Sequence, residues 1–315
     1  MLNDHAAAPH LVLGTAQLGM AYGIANQTGA PSADTAATLI HRALELGITT
    51  FDTARAYGLS EQRLGETLGS REDVTILTKL APLDALAPSA PRGTAAHAVI
   101  ASINDSRAAL RRPRLDTVLL HRAAHLRSHA GAILDTLLAL KADHQIEKLG
   151  VSVQTPDELR EALSLRAIGH IQFPLNFLDW RWRDDELRAL FDERRDVTLH
   201  VRSALLQGLL AANNPALWPS NSGINPARFV PALQALAETL GREDVADLAF
   251  AYVRAQTYLH GIVVGAETVR QIEDNVTLFA RPPLDEDECV FVERFLPELP
   301  ETVLNPALWQ HVQAA

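Results

Sequence analysis

Short apolar runs recur along the chain, spaced so that a helix fits between each pair. They occupy residues 11–13, 48–51, 74–77, 117–120, 149–153, 168–173, 197–201 and 261–264. Each has strand length, and several are apolar at every position, the pattern of strands covered on both faces. Between them, apolar positions recur with helical spacing, predicting helices over 33–46, 61–68, 94–110, 130–141, 157–163, 184–194, 227–240 and 269–279. Boundary signals agree with this reading. Ser32 or Asp34 can cap the first helix and Gly47 stop it, while Thr155-Pro156-Asp157-Glu158 starts another with proline in its first turn. Eight strands, each followed by a helix, predict an α/β fold: a single-domain (β/α)8 TIM barrel over residues 1–315. A doubly wound sheet is the rival, weakened because no strand leads into a Gly-x-Gly-x-x-Gly turn.

Three connections, 16–31, 80–93 and 211–226, are long and fall on the C-terminal side of the strands, where binding and lid functions concentrate. Composition adds exclusions. The 315 residues are 47% hydrophobic and 21% charged, an ordinary globular mixture. With 28 basic against 38 acidic residues the net charge is −10, which repels phosphate backbones, so no nucleic-acid partner is expected. No apolar run approaches the roughly 20 residues of a membrane span. Residues 1–10 offer neither the basic flank nor the apolar core of a signal peptide, so a cytoplasmic protein is expected. The single Cys289 excludes an intrachain disulfide and reads as a helix-buried thiol without a role. His125, His129 and His144 read as helix-surface residues without ligand spacing, so no metal is expected. No pattern in the chain specifies an oligomeric state.

The chemistry lies in what terminates the apolar runs. Asp52 ends the second, Lys79 the third, His121 the fourth, Gln172 the sixth and Arg202 the seventh. In a barrel, strand C-termini converge on the mouth. Tyr57, five residues past Asp52, can fold its phenol back over the same mouth. A phenol titrates near pH 10 and is a poor acid at neutrality unless helped; a nearby ammonium stabilises its anion, and a carboxylate holds the ammonium in place. A histidine can orient a carbonyl oxygen or relay the proton. Such a group would protonate a carbonyl oxygen as hydride reaches its carbon, and do the reverse in oxidation. Singly, each residue has an ordinary role as cap, surface charge, rim residue or packing ring. Their joint placement points to a site.

These residues resemble the aldo-keto reductases, over nearly the whole chain. Phe51-Asp52-Thr53-Ala54, Ala56-Tyr57-Gly58, Ser60-Glu61 and Leu64-Gly65 resemble the family's Asp/Tyr segment, Thr78-Lys79 its lysine strand, and Leu119-Leu120-His121 its histidine strand. The resemblance implies that Tyr57 is the general acid/base, that Lys79 and Asp52 tune it, and that His121 orients the substrate carbonyl. It implies hydride transfer between a nicotinamide cofactor, NAD(P)H, and an aldehyde, ketone, aldose or alcohol. It also implies cofactor contacts from Thr15 in Leu-Val-Leu-Gly-Thr-Ala-Gln-Leu-Gly, from Ser152 and Gln172 toward the carboxamide, and from Arg202, Ser203, Leu205 and Gly208 under the nicotinamide and pyrophosphate. Gly265, Glu267, Gln271 and Asn275 fall at the adenosine end. Val153 stands where the family usually has Asn, and Arg202 where many members place an aromatic ring. A guanidinium can also stack, but its charge favours the neutral reduced ring over the oxidised one. Members preferring NADP usually place Lys or Arg near Glu267; a carboxylate there repels a 2′-phosphate and accepts from a free ribose hydroxyl, which favours NADH unless Arg270 turns inward.

The complete quartet favours an active oxidoreductase. A cofactor-binding regulatory protein with little turnover, and a barrel enzyme using the quartet for dehydration or isomerisation, are the other readings. The mouth loops carry Tyr22, Asn26, Arg55, Trp180, Arg181, Trp182, Trp218 and Asn221. A tryptophan could stack on a sugar or aromatic ring and Arg55 pair with an anion, or all could be structural. Such polar loops favour a small carbonyl compound or sugar as substrate.

Overall fold

A computed structural model describes residues 8–310 except 25, 27, 28 and 70. Eight parallel strands close a barrel in chain order: β1 (His10–Gly14), β2 (Thr50–Asp52), β3 (Thr75–Lys79), β4 (Leu115–Leu120), β5 (Ile146–Ser152), β6 (His170–Pro174), β7 (Thr198–Arg202) and β8 (Gly261–Gly265). The last pairs with the first, Leu13 opposite Val264 and Gly14 opposite Gly265. All eight predicted strands are present. The β2 and β6 residues are buried throughout, as strands sandwiched between barrel interior and helix layer must be. Phe51, Val118, Val151, Ile171, Val201 and Ile262 are wholly buried in this sheet.

The outer helices follow from local chemistry. Ser32, not Asp34, caps Ala33–Glu45, its hydroxyl accepting from the Thr35 amide at 3.1 Å, and Gly47 leaves that helix at φ 84°, where a side chain would be strained. Thr155 caps Pro156–Ser164 as expected. Helices absent from the sequence expectation are Ala16–Gly19, Leu209–Ala212, Val245–Arg254, Glu286–Phe295 and Glu301–Leu304. The first and second place helical turns in connections read as loops. Val245–Arg254 is the second helix of the β7–β8 connection, after Pro226–Thr239, and is buried at every position from Val245 to Val253. His125 and His129 are not on helix surfaces. His125 is buried in a 3-10 turn with Nε2 3.1 Å from the Pro82 carbonyl, and His129 takes φ 53°. His144 sits in a turn at φ 58°. Cys289 is half-buried on Glu286–Phe295, where burial, with Glu293, Glu288 and Asp285 nearby, pushes its thiol up to about 11. Among the described residues no helix is long and apolar enough to cross a membrane.

Candidate active site

β2 and β3 are neighbours with Asp52 opposite Leu77, and Lys79 follows two residues later at the end of its strand. Lys79 Nζ donates to Asp52 Oδ1 at 2.6 Å and to the Thr53 carbonyl at 3.0 Å, and both side chains are buried. Burial works against charge on Lys79, but Asp52 and the neighbouring Tyr57 outweigh it and hold the ammonium above its ordinary pKa. The second Asp52 oxygen accepts from Gln172 Nε2 at 2.7 Å. The turn after β2 then brings the Tyr57 ring back over this pair, its centroid 5.1 Å from Lys79 Nζ. Two glycines permit that turn. Gly58 takes φ 56°, and Gly19 lies so close to the Tyr57 carbonyl and Ser60 that any β-carbon would collide with them. His121, at the end of β4, meets the Tyr57 ring edge-on with centroids 6.4 Å apart. Burial and the Lys79 charge lower His121 to about 4, so its ring is neutral at physiological pH, offering one N–H and one lone pair.

Tyr57 and Asp52 open onto a cavity of about 320 Å³. Of the residues expected to hold a cofactor, Thr15, Gln172, Arg202, Ser203, Leu205, Gly208, Gly265, Glu267, Gln271 and Asn275 all line it. Ser152 does not: it is buried at the end of β5, in register with Gln172. Thr15 supports the floor, its hydroxyl donating to the Asp52 carbonyl at 2.8 Å and meeting Ser60 Oγ at 2.7 Å. Because a carboxylate can only accept, Gln172 turns its nitrogen to Asp52 and is left with a carbonyl oxygen free for a ligand donor. After β7 the chain twists through left-handed conformations at Ser203, Leu206, Gln207 and Gly208. Among the described residues, the Ala204 and Leu205 amides there donate to no protein acceptor. An amide acceptor at Gln172 and free backbone donors in one groove suit a nicotinamide dinucleotide, with its carboxamide and diphosphate.

Glu267 follows β8. Its carboxyl is raised above the usual range by burial, an effect opposed by a hydrogen bond from Asn26, and its amide donates to Gln271 Oε1 at 2.6 Å. Arg270 does not turn inward; its side chain is 88% exposed, 3.6 Å from Asp274. Most residues offered for substrate contacts are committed to the fold. Arg55 pairs with buried Glu61 at 2.8 Å, and Arg181 and Trp182 both donate to Asp179. Trp218 packs edge-on against Phe229, Trp180 donates to the Leu299 carbonyl, and Asn221 donates to the Leu308 carbonyl. Tyr22 alone of that set lines the cavity. Gln17 and Gln207 also line it; both lie in segments that carry the family resemblance, but neither was singled out as a site residue. Gln207 accepts from the Ile24 amide at 3.3 Å through its carbonyl and donates to Tyr22 Oη at 3.4 Å, fastening the first long loop across the groove. Neither glutamine ends a strand, so no positional signal marked it.

Comparison with known proteins agrees with this geometry. L-galactose dehydrogenase of Arabidopsis thaliana is 28% identical over 263 residues, 79% of each chain. An aldo-keto reductase of Bacillus halodurans superposes with a TM-score of 0.73 at 24% identity, covering 92% of both chains. The glycerol dehydrogenase of Gluconobacter oxydans superposes with a TM-score of 0.69 at 21% identity, covering 97% of this chain and 95% of its own. At those identities the two structures speak for the fold. The model of the Aldo/keto reductase family matches residues 10–296, and on that match the chain belongs to this family of NAD(P)-dependent oxidoreductases.

Proposed function

We propose that the protein transfers hydride between NAD(H) and the carbonyl or alcohol carbon of a small polar aldehyde, ketone or sugar, with Tyr57 carrying the proton. The observation behind this reading is the buried Asp52–Lys79 pair beneath Tyr57, opening on a groove that suits a dinucleotide. The nicotinamide, when bound, supplies or accepts the hydride; the remaining work falls to the chain. Tyr57 Oη gives its proton to the substrate oxygen in reduction and takes it back in oxidation. Lys79 stabilises the phenolate left behind, and Asp52 keeps Lys79 charged and aimed. His121, being neutral, orients the substrate oxygen by a hydrogen bond rather than acting as a cationic acid. Gln172 would hold the carboxamide through its free oxygen, and the Ala204 and Leu205 amides would receive the diphosphate.

NADPH is typical of the family. The preference proposed for this chain is NADH, because Glu267 lines the cavity where a 2′-phosphate would have to approach it and Arg270 points to solvent. Separate titrations with NADH and NADPH test this: tighter NADH supports it, and tighter NADPH refutes it. Consumption of cofactor in step with substrate separates the oxidoreductase from a binding protein without turnover.

A further inference from the structure

Among the described residues, Arg55, Arg122 and Arg181, at the strand ends and loops of the mouth, are each paired with a carboxylate, and Arg202 is not. Arg55 pairs with Glu61 at 2.8 Å and Arg181 with Asp179 at 2.7 Å, both carboxylates being buried. Arg202 lines the cavity with Tyr57 and Gln172, yet among the described residues no carboxylate pairs with it. Its Nη2 donates to two uncharged oxygens, the Val153 carbonyl at 3.2 Å and Gln154 Oε1 at 2.8 Å. The carboxylates whose fields reach it are engaged elsewhere: Asp52 by Lys79 and Gln172, Glu158 by the Gln154 amide at 2.6 Å. Asp52 already balances Lys79, and Glu158, held by a neutral amide, acts on Arg202 only through space, so the guanidinium beside Tyr57 has no directly paired counter-charge.

Resting on the function proposed above, we infer that Arg202 biases the redox equilibrium of the bound cofactor: its charge favours the neutral reduced nicotinamide over the cationic oxidised ring. In the oxidative direction the substrate C–H bond breaks, and its hydrogen and two electrons form a C–H bond on the nicotinamide ring. The hydroxyl proton passes to the Tyr57 phenolate oxygen. The ring loses its positive charge in that step, so repulsion from Arg202 is relieved; the reverse step restores it. The bound couple is thereby a stronger hydride acceptor, suiting the protein to substrate oxidation. Stacking is not required, because two unit charges several ångströms apart at an effective dielectric of about 20 already discriminate about tenfold or more.

The test is equilibrium binding of NAD+ and NADH, by fluorescence quenching and without turnover, to the wild-type protein, Arg202→Lys and Arg202→Gln. The expected wild-type protein binds NADH at least roughly tenfold more tightly, Arg202→Lys keeps most of that ratio, and Arg202→Gln lowers it about tenfold, equivalent to about 30 mV for a two-electron couple. A wild-type ratio near one overturns the inference whether or not the variants fold. So does a ratio unchanged in Arg202→Gln, including equal weakening of both forms, which would assign the guanidinium to the diphosphate. Failure to bind any nicotinamide dinucleotide would instead remove the functional reading beneath it.

Discussion

Asp52 uses its two oxygens for two partners, Lys79 and Gln172. Oδ1 anchors Lys79 and Oδ2 orients Gln172, so one residue ties the proton carrier to the proposed carboxamide partner. Tyr57→Phe removes only the transferable proton and should lower kcat by about 100-fold or more while changing the NADH dissociation constant only a few-fold, as steady-state kinetics and fluorescence titration would show. Glu267→Lys should raise affinity for NADPH relative to NADH by about tenfold in paired titrations; no change would remove Glu267 from cofactor selection. Because His121 gains a proton only near pH 4, the kcat profile of the wild-type protein should show no inflection from it between pH 5 and 8, and an inflection abolished by His121→Gln would contradict its neutral role. The quartet was legible because each strand-borne member closes an apolar run, and Tyr57 follows Asp52 by one short turn. The commitments of Arg55 and Trp182 were not legible, since nothing in their neighbourhood reveals that Glu61 and Asp179 are buried to receive them.

The elements that bring these residues together are held by close backbone approaches and caps. Arg63, on helix Ser60–Leu68, donates to the Leu18 and Pro31 carbonyls, fixing both ends of the first long connection against the helix that follows Tyr57. Gly19 packs on the Tyr57 turn at the same place. Gly19→Ala should therefore displace Tyr57 and reduce both thermal stability and kcat, whereas Gly93→Ala, in open space and at ordinary backbone angles, should affect kcat little. Val245–Arg254 is capped by Asp244, whose carboxylate accepts from the Asp247 amide at 2.8 Å. Asp244→Ala should cost about 1 kcal/mol in denaturant unfolding, and a loss indistinguishable from zero would show the cap to be dispensable. That helix escaped the sequence reading because one helix was assigned to each connection and it is the second between β7 and β8, while the strands were found because burial on both faces is what a barrel strand displays.

Across the whole molecule, the chemistry occupies the C-terminal mouth, and a second cluster of titratable side chains lies toward the opposite end. His170 and His200 are buried inside the barrel with ring centroids 4.4 Å apart, His10 lies 5.5 Å from His200, and His260 accepts from the Leu199 amide. Burial first, then neighbouring positive charge from these histidines and Lys148, lowers His200 to about 3 and His170 well below its ordinary value. In the unfolded chain both titrate near 6.5, so between that pH and about 3 the unfolded state binds more protons. Their contribution is complete above pH 6.5 and is lost as pH falls below it, so the melting temperature should drop on acidification, less steeply in His200→Leu if that variant folds. The account's central claim concerns the mouth, and it is tested most directly by following NADH consumption and alcohol formation together over a panel of small aldehydes, hydroxyketones and aldoses, with wild-type protein and Tyr57→Phe in parallel. The prediction is one NADH oxidised per alcohol formed, with turnover collapsing in Tyr57→Phe while NADH still binds. Equal turnover by the two proteins, or no binding of any nicotinamide dinucleotide, would contradict it.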